Sequence, residues 1–304
     1  RREGGRVSAA VSVSLLGDAP TASAIDLYAK PSPDFSTKLH ETIVTLLKAA
    51  SAGPVAQANS LGAEDMVITH LINAHQLPIG VFVLDTGALH AESLALLERL
   101  QAQQAGYAHA PLTVYRPVAE AVVQFVAREG QDAMYKSIEL RKACCGIRKL
   151  EPLARALAGQ AAWVTGLRKE QSGARADVAL VDRSEEQSKG LLKYNPLAHW
   201  SWGDVWHYIA QNAVDYNPLH DQFYPSIGCE PCTRAITLGE DFRAGRWWWE
   251  DEAAKECGLH VKDSNSLPLW GRVGVGANHL PDDPSGPHPH LPPAVEGASQ
   301  KAHA

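Results

Sequence analysis

The apolar residues of this chain follow two alternating patterns. In some short stretches they run together, and in longer ones they recur at spacings of three and four. The first pattern predicts buried strands and the second predicts helices. From about Leu39 to Ala50 the spacing is helical, and "GPVAQANS" (Gly53 to Ser60) reads as a short buried strand. "GAEDMVITHLINAHQ" predicts a helix, and "IGVFVLDTG" (Ile79 to Gly87) is the clearest strand. "LHAESLALLERLQAQQ" is helical again, and "LTVYRP" is a strand. Val118, Ala121, Val122 and Phe125 then share one helical face, as do Leu150, Leu153, Ala154 and Leu157. "AAWVTGL" and "DVALVD" give two more strands. "SWGDVWHYIAQ" is a helix with Ser201 at its N-cap and Asp204 three residues on, a capping box.

Short strands alternating with helices predict an α/β fold, a mainly parallel sheet with helices on both faces. Ligands of such folds bind at the carboxyl ends of the strands. "NSLGAED", "LDTG" and "TGLRKEQS" each directly follow a strand, so they should gather at one edge of the sheet. Residues 1–37 have a mixed pattern and read as a leader, and residues 38–260 as the folded domain. Between Pro268 and Pro293 lie seven of the nineteen prolines, interleaved with Gly, Asp and His. That segment lacks the periodicity to bury a core, so 261–304 is expected to be a flexible, disordered tail.

Composition narrows the function. The 304 residues carry a formal net charge of -6, which gives no general attraction for nucleic acid or an anionic membrane. Any bound anion must be held by a local cluster. No apolar run reaches membrane-spanning length. Five cysteines, all between Cys144 and Cys257, fit a reducing cytoplasm and a metal or catalytic role better than a disulfide framework.

Four of those thiols form two tight pairs, Cys144–Cys145 and the C-x-x-C of Cys229 and Cys232. Four converging thiolates suit zinc or an iron–sulfur cluster. Adjacent cysteines are awkward around one small ion and easier around a cube, where each reaches a different iron. Ordinary buried thiols with a redox disulfide at Cys229 and Cys232 are the bland alternative. Cys257 stands alone in "KECGLH", with Lys255 and His260 nearby. Neighbouring positive charge favours a reactive thiolate, although a lone cysteine near a chain end often has no role.

Three stretches are candidates for holding an anion. Ser60 and Gly62 in "NSLGAED" form a turn between strand and helix, where backbone N–H groups can hold an anion. The turn lacks the Gly-Lys-Ser/Thr of a Walker loop and could equally be an ordinary capped turn. Arg243 and Arg246, three apart in "DFRAGRWWWE", suit a phosphate or sulfate clamp, or else a solvated basic turn. "VTGLRKEQSGAR" adds Arg168, Lys169 and Arg175 after a strand.

Taken in order, "SLGAED", "LDTG", "ACCGIRK", "VTGLRKEQS", "SIGCEPCTRA", "RWWWE" and "ECGLH" resemble assimilatory adenylylsulfate (APS) reductase. That group belongs to the family that also contains phosphoadenylylsulfate (PAPS) reductases. The likeness runs from roughly Leu39 to His260. It implies an adenine-nucleotide α-hydrolase-like fold and a 4Fe–4S cluster on Cys144, Cys145, Cys229 and Cys232. It implies that "SLGAED", with Ser60 and Gly62, is a modified pyrophosphatase loop. Lys149 would lie between cluster and substrate, and Arg168, Arg243 and Arg246 would hold the phosphosulfate. Leu84, Thr86 and Gly87 would border the adenosine, and Cys257 would be the nucleophile. The chain departs from the resemblance in its leader and in running on for more than forty residues after "ECGLH".

The activity implied is thioredoxin-dependent reduction of adenylylsulfate to sulfite and AMP through a Cys257 S-sulfo intermediate, in sulfate assimilation and cysteine biosynthesis. The partners are then adenylylsulfate and thioredoxin or a similar dithiol, with no nucleic acid and no membrane. Homo-oligomerisation is left open. Rival readings are a PAPS or dual-specificity reductase, a tRNA-thiolating pyrophosphatase relative and a non-enzymatic iron–sulfur redox sensor. The four cluster cysteines disfavour the PAPS branch. The loop chemistry and the charge disfavour the tRNA enzyme, and a sensor would not need Arg243, Arg246 or Cys257.

Overall fold

The computed structural model describes residues 22–237 and 239–251. Cys257 and the proline-rich segment lie outside the described residues. The elements run α1 (Ala24–Tyr28), α2 (Phe35–Ala50), β1 (Val55–Asn59), α3 (Ala63–Ala74), β2 (Gly80–Leu84), α4 (Ala91–Gln104) and β3 (Leu112–Tyr115). They continue with α5 (Ala119–Glu129), α6 (Ile138–Cys145), α7 (Glu151–Leu157), β4 (Ala162–Val164), β5 (Val181–Asp182), α8 (Glu186–Lys189), β6 (Leu192–Tyr194) and α9 (Trp202–Asn212).

The six strands form one sheet in the order β3-β2-β1-β4-β6-β5. Every pairing is parallel except β5 with β6. This is the expected mainly parallel sheet, and the chain winds outward from β1 in both directions. The strand order therefore reverses between β1 and β4, and a crevice opens at the carboxyl ends there.

Side chains alternate across the sheet as the strand period requires. Val55 and Val83 face the larger core, built with α2, α3, α4 and α9, whereas Ala56, Phe82 and Leu84 pack with Leu153 and Ala156 of α7. Both faces of the sheet are covered, so the strands are short and almost wholly apolar. Two exceptions on β1 are Gln57 and Asn59, buried but polar. Their side chains reach α3: Gln57 Nε2 donates to the Asp65 carbonyl at 2.7 Å and Asn59 Nδ2 to Thr69 Oγ1 at 2.8 Å. A buried amide left unpaired costs about 1–3 kcal/mol, so these bonds fix where α3 begins.

Three features differ from the sequence reading. Part of the expected leader is helical: α1 has a Ser23–Asp26 capping box, and α2 begins at Phe35. "DVALVD" yields only the two-residue β5, antiparallel. The strand β6 and the helix α6 went unread, because three residues and a charged "IELRKACC" give little periodic signal. Among the described residues no helix is long and apolar enough to cross a membrane.

Candidate active site and thiol cluster

The crevice between β1 and β4 is a cleft of about 210 Å³. Ala58, Phe82, Leu84, Leu153 and Trp163 give it an apolar wall suited to a flat base. Lys149, Arg175, Arg243 and Arg246 line it as well and make its cationic side. Arg243 and Arg246 are almost fully buried, at 6% and 7% exposure, so their charges act with little screening by water. The Arg246 guanidinium lies over the Trp247 ring at 4.6 Å, and its Nη1 donates to the Ile227 carbonyl at 3.2 Å.

The turn after β1 carries Ser60 and Gly62 to the cleft. Three of its backbone donors are engaged within the protein. The Leu61 N–H bonds Asn59 Oδ1 at 2.7 Å, and the Ala63 N–H bonds His220 Nε2 at 3.2 Å. The Ser60 N–H and hydroxyl both donate to Asp65 Oδ2, at 2.8 and 2.6 Å. His220 is buried, so its pKa falls to about 4 and the ring is neutral at neutral pH. Its Nδ1 therefore carries the proton and donates to the Tyr224 carbonyl at 2.8 Å. Trp206 and Trp202 flank the ring at 5.3 and 5.8 Å, so the packing of α9 sets the position of this cap. Burial pushes Asp65 the other way, up to about 6, against the bonds from Ser60. Gly166, at the end of β4, makes room for that carboxylate. A Cβ there would meet Asp65 Oδ1 at 2.4 Å and Glu64 Cβ at 2.9 Å.

Arg168 is fully buried and does not line the cleft. Its Nε and Nη2 both hold Glu64 Oε1 at 2.9 Å, and its guanidinium lies over Trp202 at 5.2 Å. Gln171 Nε2 donates to the same Glu64 oxygen at 2.9 Å, and Gln171 Oε1 accepts from Arg175 Nη1 at 2.5 Å. Arg168 thus reaches the cleft through Glu64, while Arg175 faces it directly. Sequence reasoning missed Asp65, Gln171 and His220. A lone histidine in "NPLHDQ" carries no signal, and the Glu64–Arg168 pair joins residues 104 positions apart.

The second loop, Leu84 to Gly87, borders both the cleft and the thiols. Leu84 and Thr86 line the cleft, and Gly87 sits at φ +67, a conformation glycine adopts without strain. Thr86 Oγ1 lies 3.3 Å from Cys229 Sγ, and Arg148 Nη1 donates to the Thr86 carbonyl at 2.7 Å. The Glu230 N–H bonds the Ala88 carbonyl at 2.8 Å, tying the C-x-x-C turn to this loop.

Cys145, Cys229 and Cys232 are buried together with Met134 and Trp247, and Cys144 is half-buried. None of the four is in a disulfide. Cys144 and Cys145 end α6, where the backbone passes into a π-helical turn, Gly146–Leu150, that carries Arg148 and Lys149. Single π turns inside α-helices are frequent at functional sites. Burial raises the Cys232 thiol to about 11 and raises Cys144 as well. At Cys229 burial is outweighed by Lys149, Thr86, Arg246 and Arg148, so its pKa is lowered. The cationic side of the cleft and the thiols therefore share the same charges. Among the described residues, no three His, Cys, Asp or Glu side chains are grouped to hold a single metal ion.

Residues 54–235 match the family model "Phosphoadenosine phosphosulfate reductase domain". The chain is 51% identical over 218 residues to an adenosine 5'-phosphosulfate reductase of Burkholderia cepacia, covering 72% of this chain and 85% of that one. It is 54% identical over 206 residues to the protein of that name from Allochromatium vinosum, covering 68% and 78%. Among solved structures it is similar to phosphoadenylyl-sulfate reductase from Candida auris, solved as a phosphate complex. That likeness has 28% identity and a TM-score of 0.52, and covers 62% of this chain and 88% of the other. Sheet order, cleft and sequence agree on an adenine-nucleotide α-hydrolase-like fold, and the chain belongs to the adenosine 5'-phosphosulfate and phosphoadenosine phosphosulfate reductase family.

Proposed function

We propose that this protein reduces adenylylsulfate to sulfite and AMP with electrons from a dithiol such as thioredoxin, in the reducing cytoplasm. The observation that carries the reading is a cleft at the strand ends, with an apolar wall and a cationic side that abuts four thiols that form no disulfide. The adenine lies against Phe82, Leu84 and Trp163, and the phosphosulfate faces Lys149, Arg175, Arg243 and Arg246. Charge gathering on sulfonyl and phosphate oxygens in the transition state is stabilised there, in a site poor in water. Arg168 supports this side by holding Glu64 rather than by meeting the substrate.

Cys257 is the nucleophile in this reading. Its thiolate attacks the sulfonyl sulfur, the bond from sulfur to the phosphate oxygen breaks, and AMP leaves. The enzyme then carries Cys257 as an S-sulfo group. A partner thiolate attacks the Cys257 sulfur and expels sulfite, and the second partner thiol resolves the mixed disulfide. Two electrons pass from the dithiol to the sulfonyl group, which closes the balance.

Cys144, Cys145, Cys229 and Cys232 would hold a 4Fe–4S cluster. Reduced, buried thiols on two segments, with Arg148, Lys149 and Arg246 to offset thiolate charge, fit that group. When bound, the cluster supplies a fixed negative charge and a covalent tie between the two segments.

Protein purified without oxygen should release sulfite from adenylylsulfate at least about a hundredfold more efficiently than from the 3'-phosphorylated substrate, a difference of about 2.7 kcal/mol. The same preparation should contain about four irons and four sulfides per chain, lost in Cys145→Ser. Equal efficiencies would favour a dual-specificity reductase. Colourless, fully active protein would contradict the cluster.

A further inference from the structure

The segment from Arg243 to Glu250 is tied to both thiol-bearing segments. On one side its backbone runs along the C-x-x-C turn. The Trp247 N–H donates to the Cys232 carbonyl at 3.2 Å, and the Arg234 N–H to the Gly245 carbonyl at 3.0 Å. Thr233 and Arg246 form an isolated antiparallel bridge there. On the other side Glu250 reaches α6 and holds Arg141 with both oxygens. Arg141 Nε donates to Oε1 at 2.9 Å and Nη2 to Oε2 at 2.6 Å, across 109 positions of chain. Arg141 stands three and four positions before Cys144 and Cys145, so it shares a face of α6 with them. Both side chains of the pair are out of water, at 0% and 3% exposure.

Trp247 packs against both sides. It is buried with Cys145, Cys229 and Cys232, and the Arg141 guanidinium lies over its ring at 4.6 Å. Its backbone sits at φ +42, an outlier for a bulky residue. Such a conformation persists only where the surroundings over-determine it, and it is common at functional sites. The ion pair itself asks for a reason. Apolar side chains of similar volume often stabilise a core as well or better, because both charges of a buried pair must leave water. What apolar contact does not supply is direction. A guanidinium and a carboxylate joined by two parallel bonds specify one relative placement. Here that placement is of α6 against the C-x-x-C turn. Neither Arg141 nor Glu250 lines the cleft, so the pair does not serve the substrate directly.

We propose that the Arg141–Glu250 pair is a brace that holds the two thiol-bearing segments against each other before any metal binds, so that the four cysteines are preassembled for the cluster. Arg141 and Glu250 are positioning residues, and neither is a ligand. The proposal rests on the reading of the four thiols as a cluster site, and adds what keeps the two halves of that site together.

Two measurements on the full chain test it. The first is the rate of iron release to a chelator, without oxygen, from wild-type protein and from Arg141→Met/Glu250→Met. That double variant leaves no lone buried charge. It should lose iron at least about tenfold faster, the scale on which outer partners of metal ligands act, with an unchanged urea midpoint. Iron release at the wild-type rate means that the pair only fills the core, and overturns the proposal. So does faster release that merely follows a lowered urea midpoint. The second measurement decides the matter even if the variant fails to fold. Wild-type protein stripped of iron is treated with dibromobimane, a short bifunctional thiol reagent, and the bridged peptides are identified by mass spectrometry. Bridges should join Cys144 or Cys145 to Cys229 or Cys232. Bridges confined to Cys144–Cys145 and Cys229–Cys232 would show the segments apart without metal, and overturn the proposal. Wild-type protein that holds no iron when purified without oxygen would overturn the cluster reading itself, and the proposal with it.

Discussion

At the scale of single residues, the site depends on atoms that approach more closely than side chains usually allow. Gly166 shows this best. Its missing Cβ leaves the space that the Asp65 carboxylate fills: a Cβ there would run into Asp65 Oδ1, whose partner oxygen is held by two Ser60 bonds. Gly166→Ala must therefore push the Ser60–Asp65 turn away from β4. We expect it to weaken AMP binding at least about tenfold while changing unfolding free energy by no more than about 1–3 kcal/mol, the usual cost of overpacking. Calorimetry with AMP and urea unfolding check the two parts, and unchanged affinity would show that the turn is not part of the site. The sequence shows a glycine in "VTGLRKEQS", but not that a carboxylate from another segment, more than a hundred positions earlier, rests on it.

At the scale of elements, the capping box read at the start of α9 is present: Ser201 Oγ accepts the Asp204 N–H at 3.0 Å. The structure adds what the local pattern could not. Asp204 Oδ1 also accepts from the Ser32 N–H at 2.7 Å and Oδ2 lies 3.2 Å from Lys38 Nζ, so the cap ties α9 to the chain between α1 and α2. Burial raises the Asp204 pKa, but the Ser32 and Ser201 bonds win and lower it from 3.8 to about 2. A carboxyl with a depressed folded pKa stabilises the fold above its unfolded pKa, and that contribution is lost as pH falls towards the folded value. Asp204→Asn should cost on the order of 2 kcal/mol at pH 7, and the gap from wild type should shrink between pH 4 and pH 2. Urea unfolding across that range tests it, and a gap independent of pH would contradict it. Because α9 also positions His220 through Trp202 and Trp206, this tie bears on the cleft.

At the scale of the whole molecule, the site joins parts that are remote in sequence. The strand ends supply the cleft, α6 and its π turn supply Cys144, Cys145 and Lys149, and the C-x-x-C turn supplies Cys229 and Cys232. The strand–helix alternation and the thiol pairs were legible in the sequence, because each is a local pattern with a physical period or spacing. The Glu64–Arg168 pair and the His220 cap were not, because each depends on which segments meet when the sheet forms. The central claim is that a cysteine of this chain takes the sulfonyl group from adenylylsulfate. Its most direct test is mass spectrometry of the full chain mixed with adenylylsulfate and no reductant. We predict one SO₃ unit on the Cys257 peptide and one AMP released per active site, with reduced thioredoxin then removing the mass as sulfite and Cys257→Ser forming no adduct. An SO₃ mass on Cys229 or Cys232, or near wild-type turnover by Cys257→Ser, would contradict the account.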